Sequence, residues 1–248
     1  KLFTGSYGTL GLITEVTFKL RPRPVETRTI VATGNRSSLL SAGREIARKS
    51  FPVALELLSP LLADRVIAGA NRHEYALLVR FAGAARAVVT ETANALKMLR
   101  AENLVCVTHD EDEELWTRLS TASASRDQNL SWRAVTRPSE LSSFLDDVVT
   151  LEQDAASHVG LGWHAGLGHG HVRAMARAPV YHAEPVRALE RLRQRAENSG
   201  GKLIIERAPA EIKNEIDCWG GFGSAHELMM RVKQQLDPQD ILSPGRFA

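Results

Sequence analysis

The order of strand-like and helix-like segments is the feature that most limits how this chain can fold. Short apolar or alternating runs predict strands at 27–33, 53–58, 75–81, 104–108, 130–136 and 202–206. Longer amphipathic or capped stretches predict helices at 37–49, 60–70, 85–100, 138–151, 184–199 and 225–236. Units of strand, helix, strand, strand, helix, strand favour an α+β fold of the ferredoxin-like kind, in which helices cover an antiparallel sheet.

A second pattern is a histidine- and glycine-rich hairpin between predicted strands at 156–164 and 169–176. Residues 163–171 hold three of the chain's eight histidines, and His158 and His182 lie nearby. With a loop of about six residues, His164 and His171 would face each other, and His169 would share the face of His171. Converging imidazoles suit a divalent metal or an anionic substrate, while solvated histidines on an ordinary hairpin remain an equal alternative.

Composition excludes several classes of function. The 248 residues are 44% hydrophobic and carry a net charge of +2, and no basic run is long enough to follow a nucleic-acid backbone. Two cysteines without a CxxC spacing support neither a disulfide framework nor an iron–sulfur site. No apolar run reaches the ~18 residues of a membrane span, and we expect no signal peptide. We therefore expect a cytoplasmic protein with no membrane span and no nucleic-acid partner.

The first 24 residues combine glycines with an alternating run. Gly5, Gly8 and Gly11 precede alternation over 13–20, which predicts a glycine-rich turn leading into a strand. The pattern is not the dinucleotide-binding fingerprint, because a strand rather than a helix follows it. Two interpretations remain open: a turn at a sheet edge, or a backbone that approaches a phosphate closely. The chain also begins at Lys1 inside a structured pattern, so we expect it to be a piece of a longer protein.

Both ends of the chain resemble FAD-linked oxidases of the vanillyl-alcohol oxidase type. Residues 5–22 resemble the last strand of the family's FAD-binding domain. Residues 232–247 resemble its closing motif, a helix that runs into Asp-Pro and then Asn-Pro-Gly, with Ser243 in place of the asparagine. The resemblance implies FAD as cofactor, and it places these residues beside the flavin: Gly8, Thr9, Gly11, Ile13, Thr14 and Ser243.

The same resemblance implies a division of the chain. Residues 1–24 would end the FAD-binding domain, 25–222 would form the cap or substrate domain, and 223–248 would return as a helix and tail toward the FAD domain. The half of the family fold that carries most of the flavin site would lie outside this chain. We therefore expect the chain alone to hold FAD poorly and to be inactive.

The hairpin resembles the motif His-x-Gly-Asp-Gly-Asn-x-His of D-2-hydroxy-acid dehydrogenases and the glycolate oxidase D subunit. His164 and His171 match its histidines, whereas Leu167 and His169 replace the Asp and the Asn. The resemblance implies that the two histidines are catalytic and that, with Glu206, they hold a divalent metal. Arg207 stands where the family's motif continues after that glutamate.

The sequence departs from this motif, and at 163–168, 207–209 and 217–220 it is similar to the glycolate oxidase E subunit. That resemblance implies an FAD-dependent enzyme that oxidises a 2-hydroxy acid such as glycolate, with the flavin accepting hydride. It also implies flavin and iron–sulfur partner subunits and a possible peripheral place at the inner membrane. The alternatives are a non-catalytic scaffold subunit of such a complex and, less favoured, a stand-alone metal-dependent enzyme.

Three arginines are candidates for the substrate carboxylate, since a guanidinium matches two oxygens. Arg80 and Arg133 each interrupt an apolar strand, and Arg207 follows Glu206. The alternatives are solvent-facing strand charges and an ion pair between Arg207 and Glu206. The acidic run 110–114 is expected to favour a helix start through the helix dipole rather than to bind metal.

Overall fold

The computed structural model describes residues 2–110, 112–124, 128–154, 160–177, 183–221, 223 and 225–246. His158 and His182 lie outside these ranges, and so does part of the predicted strand at 156–164. The strands are β1 Glu26–Gly34, β2 Ala54–Leu58, β3 Tyr75–Gly83, β4 Val105–His109, β5 Leu130–Val135, β6 Gly162–Gly166, β7 His171–Ala176 and β8 Lys202–Arg207. The helices are α1 Arg36–Lys49, α2 Pro60–Val66, α3 Ala85–Ala101, α4 Glu113–Thr121, α5 Leu141–Asp154, α6 Ala183–Asn198, α7 Ala210–Glu215 and α8 Ala225–Leu236.

The strands form one antiparallel sheet in the order β4-β1-β3-β2-β6-β7-β5-β8. Each half of the sheet contains four consecutive strands of the chain. From the outer edge to the middle, these strands lie in the order fourth, first, third and second. Each half is therefore one ferredoxin-like unit, and β2 and β6 join the two units in the middle of the sheet. The predicted α+β fold, an antiparallel sheet covered by helices, is confirmed.

The sheet has two different faces. One face, here called the core face, packs against α1, α3, α5 and α6 around buried side chains such as Leu57, Trp132 and Trp163. The opposite face carries α2 and α4 over its first half, where Leu58, Leu62 and Leu78 form a smaller cluster. Because strand residues alternate between faces, the side chains of even-numbered residues in β2 and β6 lie on the opposite face. This alternation decides which polar residues of the hairpin can meet.

The prediction of a strand at 13–20 is wrong. Residues 11–24 have no regular secondary structure, and Leu12, Phe18 and Leu20 are 83%, 78% and 86% exposed. Alternation alone does not make a strand, because a strand requires a neighbour that accepts and donates its backbone hydrogen bonds. The described part of the chain pairs no strand with this segment.

Helix ends differ from the predictions where a local cap decides them. The side chain of Asn35 accepts a hydrogen bond from the Ser38 N–H, so α1 begins at Arg36 rather than at the predicted residue 37. Helix α2 ends at Val66 rather than at residue 70, and α7 had no predicted counterpart. For the helices, the differences are confined to their ends and to this one short helix.

The chain separates into two compact units. One unit comprises Lys1–Arg23 with Trp219–Ala248, and the other comprises Pro24–Cys218, which contains the whole sheet. The predicted domain limits were 24/25 and 222/223, and the assignment of the terminal segments to an FAD-binding domain stays a prediction. Within the described residues, no helix is both long and apolar enough to cross a membrane.

Candidate active site

The register of the β6–β7 hairpin differs from the expected one. Gly166 pairs with His171, so His164 lies opposite Arg173 rather than opposite His171. The connection is residues 167–170, shorter than the predicted loop, and each residue removed from a loop changes which side chains are opposed. The expected pairing of His164 with His171 is therefore wrong, although both still lie on the opposite face.

The tip of the hairpin is anchored by an apolar side chain. Leu167, which replaces the acidic residue of the resembling motif, is buried, and its N–H donates to the Leu55 carbonyl oxygen. A Cβ on Gly43 of α1 would lie 2.3 Å from Leu167 Cδ1, so the helix approaches the tip as closely as a glycine allows. Leu167, the residue that departs from the motif, therefore anchors the tip of the hairpin.

Gly170 closes the turn, and a side chain at this position is expected to destabilise the fold. Its φ is +72°, and a Cβ there would lie 2.1 Å from the Thr136 carbonyl oxygen. Gly170→Ala is expected to lower the free energy of unfolding by roughly 1–3 kcal/mol or more, through backbone strain and a backbone clash. A Cβ on Gly168 meets nothing within 4 Å, so Gly168→Ala should change stability by only about 0.5 kcal/mol. Urea unfolding of both variants checks this, and equal losses would contradict the described turn.

Three basic side chains line up across the opposite face of the second half. His164 on β6 is opposite Arg173 on β7, and Arg173 is opposite Arg133 on β5. Neighbouring strands lie about 4.8 Å apart, so this set, here called the basic row, spans roughly 10 Å. Local sequence did not indicate Arg173, because its place in the row depends on the register of two strand pairs.

A carboxylate lies at each end of the basic row. At one end, Glu206 Oε1 accepts from Arg173 Nη2 at 3.1 Å and lies 3.3 Å from Arg133 Nε. At the other end, Glu56 Oε2 lies 2.9 Å from His164 Nδ1. The two arginines share the Glu206 carboxylate.

His169 and His171 lie at the tip beside the basic row. The ring centroids of His169 and His171 are 4.5 Å apart in an edge-to-face arrangement, and His169 Nε2 is 3.7 Å from Glu56 Oε1. Contact with the Glu56 carboxylate raises the pKa of His169 above its ordinary value. Burial and the positive charges around it lower the pKa of His171. His169 is therefore the more readily protonated of the two rings.

The predicted metal ligands His164, His171 and Glu206 do not form one ligand set. Glu206 is engaged by two arginines and His164 by Glu56. Across the described ranges, no group of three His, Cys, Asp or Glu side chains could hold a metal ion. The residues present therefore do not fit the metal centre that the resemblance implied, because arginines occupy the carboxylate it needs.

The first half of the sheet also contains an arginine–carboxylate pair, which is more buried than the one in the second half. Arg80 on β3 lies opposite Thr29 on β1. Asp112, which is buried, accepts from Arg80 Nη2 at 2.7 Å and from Thr29 Oγ1 at 2.6 Å. Trp116 Nε1 donates to Thr29 Oγ1, and Arg80 lies over the Trp116 ring. Arg80 and Asp112 therefore form an ion pair within this network.

The contacts of Arg80 and Asp112 differ from the roles predicted for these residues. Arg80 was a candidate for the substrate carboxylate, but its guanidinium is held by Asp112. Asp112 was expected to act only through the dipole of α4, yet its side chain makes no cap hydrogen bond and binds the sheet instead. Arg207, the third candidate, donates from Nη1 to the Gln128 carbonyl oxygen. Of the three predicted arginines, Arg133 alone is part of the basic row.

The predicted flavin-bordering residues lie in the unit formed by the two chain ends. Gly5, Tyr7 and Gly8 have φ values of +85°, +54° and +76°, and Ser243 has φ +47°. A Cβ on Gly8 would lie 3.4 Å from Ser243 Oγ, so these two segments are adjacent. Turns with left-handed residues direct backbone N–H groups toward one side, which suits a phosphate. The assignment of these residues to the border of a flavin stays a prediction.

Lys233 on α8 holds the same unit together. Its Nζ donates to the carbonyl oxygens of Thr9 and Leu242, each at 3.0 Å, and also pairs with Asp237 and Asp240. The Asp237 carboxylate accepts from the Leu242 N–H at 2.8 Å. The Asp-Pro motif after α8 thus turns the chain back, and the lysine connects this turn to the glycine-rich segment.

The sequence model of the family described as FAD linked oxidases, C-terminal domain, matches residues 24–247. The chain belongs to this family, which confirms its resemblance to FAD-linked oxidases. The family implies FAD as its cofactor and oxidoreductase chemistry.

Two curated relatives match nearly the whole chain. The glycolate oxidase subunit GlcD of Escherichia coli K12 is 27% identical over 99% of this chain and 52% of its own length. The mitochondrial D-lactate dehydrogenase [cytochrome] 1 of Saccharomyces cerevisiae is 24% identical over 99% of this chain and 46% of its own length. The chain spans about half the length of these relatives.

Solved structures show the same fold. p-Cresol methylhydroxylase with substrate bound aligns with a TM-score of 0.62 at 13% identity, over 92% of this chain and 54% of that one. Alkyldihydroxyacetonephosphate synthase aligns with a TM-score of 0.61 at 14% identity, over 97% of this chain and 48% of that one. At these identities the likeness shows the fold alone.

Proposed function

We propose that this chain supplies the substrate side of an FAD-linked oxidoreductase that oxidises a 2-hydroxy acid to a 2-oxo acid. The observation that carries the proposal is the basic row, in which a histidine stands beside two arginines that share one glutamate. Relatives described as a glycolate oxidase subunit and a D-lactate dehydrogenase support a hydroxy acid as the substrate class.

Arg133 and Arg173 bind the substrate carboxylate in this proposal. Their side chains are 41% and 38% exposed, and both contact the Glu206 carboxylate. A substrate carboxylate accepts guanidinium N–H groups in pairs. By contrast, the guanidinium of Arg80 in the first half of the sheet is held by the buried Asp112.

His164 accepts the hydroxyl proton while the substrate is held by its carboxylate. The hydroxyl O–H and the α-carbon C–H bonds break, a C=O bond forms, and the proton passes to the imidazole. A bound FAD would supply the acceptor for the hydride that leaves the α-carbon. Gly8, Thr9, Gly11, Ile13, Thr14 and Ser243 would border it.

Loss of one arginine from the basic row is expected to raise KM for the 2-hydroxy acid. Arg173→Met in the flavin-bearing protein is expected to raise KM for a 2-hydroxy acid by about 10–100-fold, because a charge-assisted hydrogen bond contributes about 1.5–3 kcal/mol. Steady-state kinetics with an artificial electron acceptor measures this. Arg195→Met, which removes a similarly exposed arginine paired with Asp147 on another part of the fold, is the control. Equal KM values in both variants would contradict the assignment.

A scaffold subunit is the second candidate function. It is favoured by the engagement of Glu206 with arginines, which departs from the metal-binding role implied by the D-subunit motif. In this case the chain would hold partner subunits, and substitution of His164 in the assembled complex would leave turnover unchanged.

The same proposal extends to the partner subunits, the location and the FAD affinity of the chain. Similarity to the glycolate oxidase E subunit implies association with flavin and iron–sulfur subunits, at the cytoplasmic side and peripheral to the inner membrane. The chain by itself would hold FAD poorly, because most of the flavin site would be supplied elsewhere.

A further inference from the structure

Glu56 is a largely buried carboxylate that local sequence did not single out. It lies on β2, at the junction of the two ferredoxin-like halves, and its side chain is only 14% exposed. Its neighbours Leu55 and Leu57 point into the core, so Glu56 lies on the opposite face with the basic row. A charged group at this depth requires a specific partner.

Its partner is the histidine of the basic row. Glu56 Oε2 lies 2.9 Å from His164 Nδ1, while Oε1 is 3.7 Å from His169 Nε2, so the contact with His164 is the hydrogen bond. Burial raises the pKa of Glu56, but its interactions with His164 and His169 outweigh burial and leave the pKa below its ordinary value. At neutral pH the carboxylate is ionised and can only accept a hydrogen bond.

We propose that Glu56 is a positioning residue that holds His164 in the tautomer with its proton on Nδ1 and leaves Nε2 as the proton acceptor. An ionised carboxylate next to Nδ1 requires a donor there, which determines the tautomer and the orientation of the ring. A free histidine side chain favours the proton on Nε2, so Glu56 reverses the intrinsic preference. The use of Nε2 as base toward a hydroxy acid rests on the proposed function, whereas the tautomer does not.

The tautomer is measured on the chain itself. Histidine ¹⁵N-labelled protein at a pH about two units above the ordinary histidine pKa of about 6.5 gives separate Nδ1 and Nε2 shifts in long-range ¹H–¹⁵N spectra. The missing signals of His164→Asn assign those of His164. The wild-type protein is expected to show a protonated Nδ1 and an unprotonated Nε2 at His164. A wild-type His164 with its proton on Nε2 overturns the proposal without any variant.

Variants of Glu56 separate positioning from mere stability. Glu56→Leu removes the acceptor and is expected to move the His164 proton to Nε2, whereas Glu56→Gln keeps an acceptor oxygen and should retain the Nδ1 proton at least in part. Glu206→Gln, at the other end of the basic row, should leave the His164 signals unchanged. A Glu56→Leu protein that folds and keeps the Nδ1 proton contradicts the role of Glu56. If Glu56→Leu does not fold, the wild-type and Glu56→Gln spectra decide.

Kinetics distinguishes this inference from the proposed function. In the flavin-bearing protein, Glu56→Leu is expected to lower kcat by about 10²–10⁴-fold with little change in KM, because a base in the wrong tautomer cannot take the proton. If the tautomer is as stated but His164→Asn leaves turnover unchanged, the proposed function fails and the positioning by Glu56 stands. If the tautomer is reversed while His164→Asn abolishes turnover, the positioning fails and the proposed function stands.

Discussion

Replacement of His164 by Asn is expected to lower kcat for a 2-hydroxy acid by about 10²–10⁴-fold, the usual contribution of a positioned general base. Asparagine retains a polar side chain of similar reach but cannot accept the hydroxyl proton at neutral pH. KM should change little, since the two arginines that bind the carboxylate remain. Turnover of the flavin-bearing protein with an artificial electron acceptor measures both constants.

The control for His164 is a histidine outside the second half of the sheet. His73 lies in the loop before β3, so His73→Asn should leave both constants within about twofold of wild type. If His164→Asn also turns over at the wild-type rate, the histidine is not the base. The scaffold function would then account for the chain better.

Asp112→Ala is expected to lower the free energy of unfolding by about 3–5 kcal/mol, the usual cost of breaking a buried ion pair. The substitution removes the carboxylate that accepts from both Arg80 and Thr29, and it leaves a largely buried guanidinium without its counter-charge. Urea unfolding of the chain at neutral pH measures the loss.

An exposed ion pair provides the comparison for Asp112. Asp146 is 61% exposed and pairs with Arg36, so Asp146→Ala should cost no more than about 1 kcal/mol. Replacement of both Arg80 and Asp112 by apolar residues should also cost less than Asp112→Ala alone, because no unpaired charge remains. Equal losses for Asp112→Ala and Asp146→Ala would show that the buried network does not stabilise the first half.

Much of the secondary structure follows from local pattern. The predicted helix at 225–236 matches α8, and the one at 85–100 ends one residue before α3 does. Their apolar positions recur at helical spacing, and this property requires no knowledge of distant parts of the chain. The segment 13–20 shows the limit of the same reasoning, because its alternation is real but a strand also needs a pairing partner.

The candidate site was less accessible to sequence reasoning. The hairpin and its histidines were evident, but the partner of His164 depended on loop length, and a loop two residues shorter put Arg173 there. Glu56 precedes His164 by 108 residues and reaches it only because β2 and β6 join the two halves. Arg80 and Arg133 were equivalent by local pattern. The structure separates them, since Asp112 neutralises the first and the second shares Glu206.

The central claim is that the basic row receives a 2-hydroxy carboxylate for oxidation by a bound flavin. Anaerobic mixing of the flavin-bearing protein with a 2-hydroxy acid, monitored by flavin absorbance, tests it most directly. The account predicts that a 2-hydroxy acid such as glycolate or lactate bleaches the flavin, that the corresponding diol without a carboxylate does not, and that Arg133→Met raises the half-saturating concentration about 10-fold or more. Bleaching by the diol at the same rate, or no bleaching by any 2-hydroxy acid, would contradict it.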